Sequence, residues 1–128
     1  MPRILVVDDE PLISMLVEDW LIELGCEVVG PARAVEDGLT LVESQSLDGA
    51  ILDLKLGDED CYPIANALHA RGVPFAFATG AGDIAAGFEN PLLLPKPFEF
   101  KEVKAALRKM LGQPPLPGET QPPGRARA

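Results

Sequence analysis

The sequence predicts an α/β fold in which helices cover both faces of an open, doubly wound parallel sheet. Several short apolar runs are uninterrupted rather than alternating, as strands buried on both faces require. Segments with helical spacing separate these runs along the chain. At 128 residues with 47% hydrophobic content, the chain suits one domain around one buried core.

The first strand is Ile4 to Val7, and it stops at Asp8-Asp9-Glu10. A helix follows, with Leu12, Ile13, Leu16, Val17, Trp20, Leu21 and Leu24 as its inward stripe. Glu18, Asp19 and Glu23 take the other side, and Gly25 is the stop. Cys26 to Gly30 reads as the second strand, Ala34 to Ser44 as a helix burying Val35, Leu39 and Val42, and Ala50 to Asp53 as the third strand. After the acidic run Gly57-Asp58-Glu59-Asp60, read as a loop and N-cap, comes a helix over roughly Asp60 to Ala70. Phe75 to Ala78 and Leu92 to Leu94 are the last two strands, and a closing helix buries Val103, Leu107 and Met110 or Leu111. Between those strands, Gly80, Gly82 and Gly87 each disfavour a helix by about 1 kcal/mol relative to alanine, so any fourth helix there is weak. Five strands with helical crossovers predict the flavodoxin-like order 2-1-3-4-5. The domain spans residues 1–112, and the Pro-rich stretch 113–128 is expected to be a disordered tail, with too few apolar residues to offset its ordering entropy.

A formal charge of −9 disfavours direct DNA binding, which needs clustered Lys and Arg. No apolar run approaches the ~20 residues of a membrane span, and the start does not read as a signal peptide, so a cytoplasmic protein with no membrane partner is expected. Cys26 and Cys61 have no metal-ligand spacing and are expected to be reduced and structural. His69 reads as a solvated helix residue, Trp20 as core, and Gly80-Ala81-Gly82 lacks the rest of a dinucleotide fingerprint.

In such sheets, ligands bind at the carboxyl ends of the strands. Asp8 and Asp9 end strand one, Asp53 ends strand three, Thr79 ends strand four, and Lys96 follows strand five. In the predicted order those four strands are neighbours, so three carboxylates, a hydroxyl and an ammonium meet at one edge. Crowded carboxylates repel one another, and a divalent cation relieves the conflict. Mg²⁺ takes oxygen ligands, commonly one or two carboxylates with a substrate phosphate oxygen. A carboxylate can also attack phosphorus, which makes Asp53 the candidate acceptor. Mg²⁺, Lys96 and Thr79 then each serve one oxygen of the transferring group.

On Asp8-Asp9, Asp53 after Ala50-Ile51-Leu52, Thr79, and Lys96-Pro97-Phe98, the chain resembles the CheY-like response-regulator receiver family over roughly residues 2 to 111. The resemblance implies Asp53 as the phosphorylation site, Asp9 as a direct Mg²⁺ ligand, Asp8 as one acting through water, the Lys55 carbonyl as a further ligand, and a cis Lys96-Pro97 bond. It also implies that Lys55 and Ala81 tune the lifetime of the phosphoryl group, and that the donor is a histidine kinase or phosphotransfer protein. The downstream partner is an unknown protein. The run Pro74-Phe75-Ala76-Phe77-Ala78-Thr79-Gly80 further resembles the FATGUY receivers, often served by HWE-type histidine kinases, although Gly82 stands where that motif has Tyr. Leu93 occupies the usual position of the aromatic switch, so the switch is expected to be ordering of the segment from Gly80 through Ala81 and Gly82 to Asn90. A stand-alone response regulator is the leading reading. The alternatives are a degenerate receiver acting as a constitutive interaction module and an aspartyl-phosphate phosphatase, which lacks an identifiable general acid.

Overall fold

The structure, a computed structural model, describes residues 1–80 and 92–112. Its elements are β1 (Arg3–Val7), α1 (Pro11–Glu23), β2 (Glu27–Ala32), α2 (Val35–Ser44), β3 (Gly49–Asp53), β4 (Lys55–Leu56), β5 (Glu59–Asp60), α3 (Tyr62–Ala70), β6 (Phe75–Thr79), β7 (Leu92–Pro95) and α4 (Phe100–Leu111). Five strands form one parallel sheet in the order β2-β1-β3-β6-β7, the predicted flavodoxin-like arrangement.

The uninterrupted apolar runs are explained by burial on both faces. In β1, Ile4 and Val6 enter a core with α1 and α4, whereas Leu5 and Val7 enter a second core with α2 and α3. β3 and β6 divide in the same way: Ile51 and Ala76 face the first core, Leu52 and Phe77 the second. Successive side chains of a strand point to opposite faces, so each strand supplies both layers.

Several local expectations are corrected. Leu12 and Leu16 were expected to point inward, but they are 82% and 46% exposed. The buried stripe of α1 is Ser14, Val17 and Leu21. Ser14 can be buried because its hydroxyl donates to the Pro11 carbonyl. Trp20 lies at the core margin, edge-on to Phe98 and Phe100, rather than inside. Cys26 precedes β2, because its N–H donates to the Leu21 carbonyl and closes the end of α1. β2 then runs on to Ala32 through a cis Gly30-Pro31 bond. The acidic run is not simply a loop: Lys55 and Leu56 pair with Asp60 and Glu59 in a small antiparallel ladder, turning at Gly57 with φ of 61°. α3 starts at Tyr62, whose N–H donates to the Asp60 carboxylate at 3.2 Å, so the capping oxygen comes from one residue further back than Cys61. α4 begins with the reciprocal Glu99–Glu102 capping box and buries Met110 rather than Leu111.

Cys26 and Cys61 are buried and free, and His69 is exposed. Among the described residues, no helix is long and apolar enough to cross a membrane. The segment expected to form a weak fourth helix, including Ala81 and Gly82 of the expected switch, and the tail 113–128 lie outside the described residues.

Candidate functional site

The strand ends converge because the sheet register puts them level. Val7 pairs with Leu52, Asp53 with Ala78, and Thr79 with Pro95. Asp8, Asp53, Thr79 and Lys96 therefore lie along one edge, and the Lys96 N–H donates to the Thr79 carbonyl at 2.7 Å. Asp8, Asp53 and Thr79 are, with Ser14, the buried polar residues among those described. The peptide bond between Lys96 and Pro97 is cis.

Carboxylate oxygens of Asp8, Asp9, Glu10 and Asp53 all lie within 4.8 Å of one another. Lys96 reaches in from the far side, with its Nζ 3.3 Å from Asp53 Oδ1 and 3.2 Å from Glu10 Oε1. Backbone N–H groups fix two of the acids: Glu10 donates to Asp8 Oδ1, and Gly57 donates to Asp9 Oδ2, each at 2.8 Å. The Lys55 main chain lies near the Asp53 carboxylate and helps to pull it down. A cleft of about 490 Å³ opens beside the Glu10–Lys96 pair, walled by Ile13, Leu16, Gly80, Pro97 and Phe98.

The electrostatics follow from burial and crowding. Asp8 is pushed up to about 6, chiefly because burial penalises its charge, with the neighbouring Asp53 adding to the rise against the Glu10 N–H. Asp53 is raised as well, first by burial, although Lys96 pulls it down. Burial alone would lower Lys96, but the carboxylates of Asp53, Glu10 and Asp8 outweigh it and hold the ammonium charged. Four acids facing one lysine leave an excess of negative charge that one small divalent cation would largely offset. The donor set is oxygen only, which suits Mg²⁺.

Asp8, Asp9, Asp53 and Lys96 are thus brought together, with Thr79 at the same edge. Leu93 stands on β7 with its side chain substantially exposed, and Gly80 borders the cleft. Sequence reasoning missed two participants. Glu10 was visible only as the third member of an acidic run, and Gly57 only as a turn residue.

The chain matches the model of the response regulator receiver domain over residues 4–108. It is similar to SdrG from Sphingomonas melonis Fr1, known in solution, at 42% identity and a TM-score of 0.79, covering 88% of this chain and 98% of that one. A BeF3-activated conformation of SdrG, from Pseudomonas melonis Fr1, matches at 42% identity, with a TM-score of 0.74 and 86% and 96% of the two chains covered. The response regulator PhyR from Brucella abortus is 32% identical, with a TM-score of 0.75, covering 85% of this chain and 47% of that one. The transcriptional activator protein IrlR from Burkholderia pseudomallei is 33% identical over 118 residues, 85% of this chain and 50% of that protein. The chain spans about half the length of the curated relatives it matches. With its sheet order, its acidic strand-end cluster and a family match across nearly the whole described fold, the chain belongs to the response regulator receiver domain family.

Proposed function

We propose that Asp53 accepts a phosphoryl group from a phosphohistidine on a histidine kinase or phosphotransfer protein, and that the modified domain signals by a change of shape to a protein partner. The observation that carries this reading is a buried Asp53 carboxylate with Lys96 at 3.3 Å and Asp8, Asp9 and Glu10 clustered beside it. An Asp53 oxygen forms the new P–O bond as the donor's P–N bond breaks, its electron pair leaving with the imidazole. Lys96 and Thr79 hold oxygens of the transferring group as charge spreads over them. Asp8, Asp9 and Asp53, with the Lys55 carbonyl, would hold Mg²⁺, which supplies charge neutralisation when bound. The BeF3-activated form described for SdrG supports the same reading.

Finer assignments are part of the proposal. The Phe75–Gly80 run favours an HWE-type histidine kinase of the FATGUY class as donor. The net charge of −9 favours a protein target over DNA, in a cytoplasmic setting. Ordering of residues 80–90, with Gly80, Ala81, Gly82 and Leu93 in place of an aromatic rotation, is the proposed switch. Incubation with a small phosphodonor and Mg²⁺ should give one acid-stable, base-labile phosphate per chain by mass spectrometry. Asp53→Asn should fold and take none, and labelling of that variant at full yield would refute the assignment.

A further inference from the structure

Lys96 is divided between two carboxylates of opposite character. Asp53 is buried, whereas the side chain of Glu10 is 58% exposed and reaches the same ammonium from the surface. The main chain of Glu10 is tied into the site, since its N–H donates to Asp8 Oδ1, and its backbone is extended immediately before α1. Only the side chain is therefore free to swing. Nζ lies nearly midway, at 3.2 Å from Glu10 and 3.3 Å from Asp53.

Resting on the phosphoacceptor reading above, we propose that Glu10 is a positioning residue that holds the Lys96 ammonium across unmodified Asp53 and must release it when the phosphoryl group arrives. In the transfer, an Asp53 oxygen bonds to phosphorus as the donor bond breaks and its electron pair departs with the leaving group. The product carries nearly two negative charges on oxygens that project beyond the carboxylate. Lysine is a compact ammonium on a flexible stem, so it follows the larger charge. Glu10 then loses its partner, and its competing hold on Lys96 opposes the phosphorylated form. A partly exposed ion pair corresponds to a factor of about two to five in an equilibrium. Glu10 thereby sets how readily the domain is phosphorylated, and does so through Lys96.

The test uses the full chain with Mg²⁺ and BeF3⁻ as the phosphoryl probe, comparing wild type, Glu10→Gln, Glu10→Ala and Asp58→Asn. Asp58 is an exposed acid of the neighbouring hairpin turn and controls for simple loss of charge. Both Glu10 variants should bind BeF3⁻ about two- to five-fold more tightly. Both should shift the Lys96 ammonium NMR resonance in the resting protein and leave it unchanged in the BeF3⁻ complex, while Asp58→Asn alters neither quantity. Unchanged or weaker BeF3⁻ binding in Glu10→Gln, an equal gain in Asp58→Asn, or an unmoved resting Lys96 resonance overturns the proposal. So does a fall in Mg²⁺ affinity beyond about tenfold in Glu10→Gln, which would make Glu10 part of the metal set. A wild-type chain that takes neither BeF3⁻ nor a phosphoryl group refutes the phosphoacceptor reading itself. The positioning role fails alone when wild type binds BeF3⁻ and the Glu10 variants bind it no more tightly.

Discussion

Asp8→Asn should make the metal-free protein more stable at neutral pH. Asp8 is 5% exposed, and its carboxyl is pushed from an ordinary 3.8 up to about 6 by burial first and by Asp53 in addition. At 1.36 kcal/mol per pH unit, that displacement penalises the ionised native form by up to about 3 kcal/mol. The native protein binds more protons than the unfolded chain between the two values, so stability falls as pH rises through that window. The penalty is absent below about 4 and fully present above about 6. An asparagine keeps an oxygen for the Glu10 N–H and removes the charge, so the variant escapes the penalty. Urea denaturation in EDTA at pH 7.5 should therefore show a gain of about 2 to 3 kcal/mol, or a melting point higher by on the order of 10 °C. Repeated at pH 4, the difference should largely vanish. A variant no more stable than wild type at pH 7.5, or a gain that persists undiminished at pH 4, would refute the reasoning.

Three further outcomes follow from the same geometry. Loss of Asp9 should weaken Mg²⁺ binding more than loss of Asp8, because Asp9 is the proposed direct ligand and also anchors the hairpin turn through the Gly57 N–H; equal losses in a Mg²⁺ titration would contradict that ranking. Lys55→Ala should change the decay half-life of the phosphorylated protein, since the exposed Lys55 side chain stands two residues beyond Asp53, where it can steer the attacking water. An unchanged half-life by quenched time-course mass spectrometry would remove its side chain from the mechanism. Phe77→Ala should destabilise the fold by about 3 to 5 kcal/mol, because the ring is fully buried and meets Tyr62 and Phe75 edge-on. Chemical denaturation checks this, and a loss below about 1 kcal/mol would mean that the second core fills the space.

What the sequence determined by itself is the architecture and which side chains gather at one edge of the sheet. Runs such as Ile4–Val7 and Ala50–Leu52 are legible as strands buried on both faces because two-sided burial leaves no room for polar alternation. Once strand order follows, Asp8, Asp9, Asp53, Thr79 and Lys96 must share one edge, since each ends or follows a strand of the same parallel sheet. The tertiary structure alone decided which face of α1 is buried. Apart from Glu18, Asp19 and Glu23 that helix is largely apolar, so periodicity admitted Leu12 and Leu16 to the same stripe as Val17 and Leu21, and packing against the sheet buried Ser14, Val17 and Leu21 while leaving Leu12 and Leu16 exposed. It also decided the pairings that no local pattern encodes. Glu10 meets Lys96 across 86 residues of chain, and Asp9 meets Gly57 across 48. Local spacing records the period of an element, whereas contacts between distant strand ends exist only once the sheet register has set their heights.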